Sequence, residues 1–78
     1  MKVYSVMLEG RDQGKGFLIT FDVASNSPEN ATDLAFCEAT NLKLDIVGVE
    51  EIALKRVDSP DAGARVLKTY GKGFFDLS

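Results

Sequence analysis

Few residues in this 78-residue chain have the types and spacing that chemistry requires. Cys37 is the single cysteine, Glu50 and Glu51 are adjacent carboxylates, and Gly-Lys-Gly-Phe occurs twice, at 14–17 and 71–74. A thiol nucleophile needs a base beside it, and the chain contains no histidine to serve as one. Cysteine is also a small hydrophobe that packs readily, so Cys37 is expected to fill space on a helix flank next to a core stripe. Carboxylate pairs do acid–base work only when both reach one substrate, whereas neighbours on a strand point to opposite faces. Glu50 and Glu51 are therefore expected as solvated strand charges that discourage pairing of an exposed edge.

The two Gly-Lys-Gly-Phe copies raise the question of phosphate. A Walker loop needs GxxxxGK[ST], with its lysine opening a helix behind a strand; here each lysine stands between glycines and β-like runs follow (FLITF and FFDLS). The GxGxxG pattern fails for want of a third glycine. Both copies are expected as turns: the first ends a long loop (10–16) and delivers Phe17 to the second strand, and the second is a tight reversal near the C-terminus. Acids spaced around a glycine as in an EF-hand are missing as well. No catalytic residue, metal ligand or cofactor site is assigned, and the expectation is a protein that is not an enzyme.

Charge narrows the partners. Twelve acids and nine bases leave a net charge of -3, and clustered Lys and Arg of the kind that track a phosphate backbone are missing, so direct nucleic-acid binding is not expected. From Gly16 to Leu42 there are four acids, Asp22, Glu29, Asp33 and Glu38, and no base. These four are the candidate partner-binding residues, either as a merely solvated helix face or as a docking surface for a basic protein. One cysteine allows no internal disulfide, which suits a reducing, cytoplasmic setting. The opening MKVYSVMLEGRD resembles a strand more than a signal peptide, and no run approaches a membrane span.

The elements that must carry these residues follow from periodicity. Tyr4, Val6 and Leu8 alternate with Ser5, Met7 and Glu9, and Phe17, Ile19, Phe21 and Val23 alternate with Leu18, Thr20, Asp22 and Ala24; the two runs are expected to pair as a hairpin. Ser27 can cap a helix that starts at Pro28, with Glu29 at the positive end of its dipole. Ala31, Leu34, Ala35, Ala39 and Leu42 gather on one face to pack on the sheet; Glu38 projects awkwardly toward the middle of that stripe, Phe36 falls well outside it, and the end is expected between Asn41 and Leu44. In DIVGVEEIALKRV (45–57) the alternation changes phase at Glu50-Glu51, which predicts a bulge or an edge strand. A loop with a helical turn after Pro60 and a terminal hairpin complete an α+β domain spanning 1–78: β-β-α-β plus a C-terminal β-hairpin, one helix on a mainly antiparallel sheet.

Taken together, YSVMLEG (4–10), GFLITFDVASNSPENA (16–31), VEEI (49–52) and GKGF (71–74) resemble a group of small uncharacterised bacterial and phage proteins with a GFYTTRFVEA-like second strand and a GFTFY-like C-terminus. This chain departs from that pattern with Asp22 where arginine is preferred and with no closing tyrosine. The resemblance implies a compact bacterial or phage-type domain and carries no activity. The β-β-α-β order is also similar to HicB-like antitoxin domains, and the size and acidity are similar to anti-CRISPR inhibitors that mimic nucleic acid.

The function expected from all this is a non-enzymatic protein-binding module of inhibitor or adaptor type. It would dock through the acidic surface or an open strand edge, with homo-oligomerisation as a further use of that edge; a small enzyme or ligand binder using Cys37 is the rival.

Overall fold

Alternating apolar side chains build two long strands, β1 (Lys2–Asp12) and β2 (Lys15–Ser25), paired in register from Lys2↔Ser25 to Asp12↔Lys15. The computed structural model describes residues 1–58 and 63–77. The expected long loop at 10–16 is instead strand closed by a two-residue turn. Gln13 and Gly14 both take positive φ (50° and 79°), the mirror-image turn geometry whose twist matches paired strands.

Helix α1 (Pro28–Asn41) begins as its residues dictate: the Asn30 N–H donates to Ser27 Oγ at 3.1 Å and Pro28 occupies the first turn. The Ser25 hydroxyl, buried behind the cap, donates to Asn30 Oδ1 at 2.7 Å and fixes the angle at which the chain leaves β2. The helix ends in a Schellman motif: Lys43 N–H donates to Thr40 O and Leu44 N–H to Ala39 O, both at 3.0 Å. Lys43 takes the left-handed position, with φ 60°.

Strand β3 (Asp45–Arg56) lies antiparallel to β1, and β4 (Arg65–Thr69) and β5 (Gly73–Phe75) both lie antiparallel to β2. The sheet order is β3-β1-β2-β4, with β5 beside the start of β2. The expected α+β architecture, one helix across an antiparallel sheet, is present. Its last part needs correction, because β4 and β5 do not pair with each other. They run one after the other along the same edge of β2, so the second Gly-Lys-Gly-Phe sits within an interrupted strand and makes no reversal. The helical turn expected after Pro60 lies outside the described residues.

The core is the helix-facing side of the sheet. Tyr4, Val6, Leu8, Phe17, Ile19, Phe21 and Val23 are buried there under Ala31, Ala35 and Ala39, a seam of methyl groups spaced four apart that brings the helix backbone close to the strands. Two helix expectations change. Leu42 is exposed at the C-cap, and Phe36 packs partly buried against the core, because a sheet is wider than one alanine seam and the helix flanks rest on it too.

Candidate functional site

The outer edge of the sheet is β3, and its sequence explains its shape. The pairings Met7↔Glu51 and Leu8↔Val49 leave Glu50 as an extra residue, which is the phase change expected at Glu50-Glu51. Two further shifts leave Val47 and Lys55 unpaired, so the longest run in regular register with β1 is Glu51–Leu54, opposite Met7 to Tyr4. Ile52 and Leu54 pair with Val6 and Tyr4 and therefore share the helix-facing side, yet the helix lies over the middle of the sheet and leaves them 39% and 51% exposed. Val47, Val49 and Val57 are exposed as well. Between this row and the helix is a hollow of about 320 Å³ lined by Pro28, Glu29, Thr32, Asp33 and Ile52.

The opposite face of the sheet holds the best-defined polar cluster. Asp22 Oδ2 accepts from Lys55 Nζ at 2.7 Å and from the Tyr70 hydroxyl at 2.7 Å, and Lys55 Nζ also donates to the Tyr70 oxygen at 3.1 Å. Lys55 arrives from β3 across Ser5, the residue between Asp22 and Ala53 in the register, and Tyr70 arrives from the end of β4, where its N–H donates to Thr20 O. Lys68 stands over the Tyr70 ring at 4.6 Å. Burial pushes the Asp22 carboxyl up, but the hydrogen bonds from Lys55 and Tyr70 and the charges of Lys55 and Lys68 outweigh it and hold Asp22 below the usual carboxylate range. The bond to Asp22, reinforced by Tyr70, pushes Lys55 above the usual lysine range. A carboxylate, an ammonium and a phenol in contact could move a proton, but Asp22 already uses one oxygen for both partners and is buried beneath them. This geometry joins β2, β3 and the β4 segment on one carboxylate.

No protein-family model, curated protein or solved structure matches the chain. The site therefore rests on its own geometry.

That geometry divides the four acids singled out in the sequence. Asp22 is on the sheet face away from the helix and paired with Lys55, so its charge is neutralised locally. Glu29 and Asp33 line the hollow beside β3, whereas Glu38 lines another with Leu34, Cys37 and Arg65 on the β4 side of the helix. They do not make one surface. Cys37 also departs from expectation: it is exposed, because the residues that meet the sheet are its neighbours two places away on either side, Ala35 and Ala39. Among the described residues no three acidic or cysteine side chains converge as a metal site would need. No described helix is long and apolar enough to cross a membrane.

The two Gly-Lys-Gly-Phe copies meet. β5 places Phe74 opposite Phe17 and Phe75 opposite Gly16, with the Phe75 ring lying in the space a side chain at 16 would fill. Lys72 stands over the Phe17 and Phe74 rings at 5.1 and 5.6 Å and pairs with Asp12 at 3.7 Å. This lysine sits on aromatic faces, and the glycine supplies room for a ring. Sequence reading missed the relation because it spans more than fifty residues of chain.

Proposed function

We propose that this chain is a non-enzymatic, cytoplasmic protein-binding module of inhibitor or adaptor type that docks through the edge strand β3 and the groove beside it. The observation that carries the reading is the row of exposed apolar side chains from Val47 to Val57, on β3 and just past its end, along a strand edge that pairs with no other strand among the described residues. An extended partner adding to such an edge gains backbone hydrogen bonds along its length and apolar contacts on alternate residues. Glu29 and Asp33 border the groove and favour a partner with basic residues at that side. Asp22 is excluded from the surface because it is buried in its own ion pair.

A photo-crosslinking amino acid placed at Leu54 tests the reading in purified protein and in the native cell, with Thr40 on the exposed helix flank as the control position. Crosslinked protein at 54 and none at 40 is the expected result. An absence of crosslinks at 54 in both settings overturns it.

A further inference from the structure

The residues along β3 carry a pattern that the binding reading above leaves unused. From Val49 to Val57 the chain reads V-E-E-I-A-L-K-R-V. Placed antiparallel to itself with Ala53 opposite Ala53, every position meets its complement. Glu50 faces Arg56, Glu51 faces Lys55, Ile52 faces Leu54 and Val49 faces Val57. Directly opposed residues on antiparallel strands form the pairs that stabilise or forbid a register. A slide that puts Ile52 opposite itself sets Glu51 against Ala53 and Val49 against Lys55. One that puts Leu54 opposite itself sets Arg56 against Ile52, and one that puts Glu51 opposite itself joins like charges.

We infer that the partner at this edge is a second copy of the chain, joined β3 to β3 in antiparallel register about a twofold axis at Ala53. The inference rests on the edge reading and names its occupant. Two observations support it. The regular stretch between bulges, Glu51–Leu54, contains the axis and both members of the Ile52–Leu54 pairs that flank it. Among the described residues Glu50, Glu51 and Arg56 make no salt bridge within the chain, so their charges are available to a partner. Lys55 is held across β1 by Asp22 and Tyr70, so the two Glu50–Arg56 pairs carry the charge complementarity of the contact. The contact is isologous: Ile52 and Leu54 of one copy meet Leu54 and Ile52 of the other, so each gains an apolar neighbour across the seam.

Analytical ultracentrifugation of the whole chain tests this with Glu50→Lys and Arg56→Glu, two exposed positions outside the Asp22 cluster. The wild type is expected at twice the 8.5 kDa of one chain. Each variant alone sets like charges opposite each other twice and should weaken the dimer by at least about tenfold, more so at low salt. An equimolar mixture of the two variants restores every opposite pair and should return the affinity toward wild type. A wild type that sediments as a monomer at every concentration overturns the inference, and so does a dimer that both variants leave unchanged. If the wild type is monomeric while Leu54 still crosslinks to another protein, self-pairing fails and the edge reading stands. If Leu54 crosslinks to nothing, both fail.

Discussion

Phe17 and Phe74 stand opposite each other across the β2–β5 ladder, their ring centroids 6.0 Å apart and their planes tilted by 58°. Each closes one copy of the same tetrapeptide, and the contact fastens the C-terminal segment to the end of the hairpin. A tilted pair at this spacing contributes about 0.5–1.5 kcal/mol beyond the area it buries. Phe74→Ala should therefore cost about 1 kcal/mol, since Phe74 is itself half exposed, and should raise amide exchange at Gly73–Phe75 before the rest of the sheet. Urea titration and hydrogen exchange measure the two effects.

The Asp22 cluster predicts a particular dependence on pH. The folded-state pKa of Asp22 lies below its ordinary 3.8, so the stabilisation is fully present above that value and lost as pH falls through the depressed one. Lys55 is raised above 10.5, so its part is present below 10.5 and lost as pH rises through the higher value. Asp22→Asn removes a charge-assisted acceptor and should cost about 1–2 kcal/mol at neutral pH, a figure kept low by the exposure of Lys55. Denaturant melts of both proteins should converge as the pH is taken below 3.8. A gap that stays constant to low acid would show that the carboxylate charge is not what joins the strands.

Lys43 occupies a backbone position that glycine takes without steric cost. A left-handed residue with a Cβ costs roughly 1 kcal/mol, and the Schellman bonds to Thr40 and Ala39 hold it there. Lys43→Gly should raise the midpoint of unfolding by an amount equal to about 0.5–1 kcal/mol, and Lys43→Val should lower it. Thermal and urea melts of the pair suffice.

The alanine seam sets the distance between helix and sheet. Ala35 is fully buried at its centre, so Ala35→Leu inserts three carbons where the strands leave no room and should cost about 1–3 kcal/mol, with loss of near-ultraviolet signal from the aromatic core. Ala35→Ser keeps the volume and serves as the control for polarity.

Much of this fold could be read from local chemistry. Ser27-Pro28 starts the helix as capping preferences require, and the phase change at Glu50-Glu51 marks a bulge that the register with β1 displays. Alternation also put Asp22 on the polar side of β2. It could not supply the partners, because Lys55 and Tyr70 lie 33 and 48 residues further along the chain and reach Asp22 only once three strands are side by side. The single acidic surface divides for a related reason: a stretch with four acids and no base crosses from strand to helix, and those elements aim the charges in different directions. The C-terminal glycines suggested a turn because glycine favours turns. Gly73 instead continues an extended segment whose partner, Leu18, is remote in sequence. Cys37 and Phe36 were misplaced together, since the arc a helix buries depends on the width of what it lies upon.

The two sides of the sheet end very differently. Beyond β2 the backbone is met by five residues of β4 and three of β5, with a break at Tyr70–Lys72 between them, while β3 runs twelve residues without interruption by another element. A sheet with two long open sides can extend without limit as copies add at each end. This one offers a twelve-residue strand on one side and, among the described residues, only the five- and three-residue segments β4 and β5 on the other. Strand addition is therefore favoured at β3 over the opposite side.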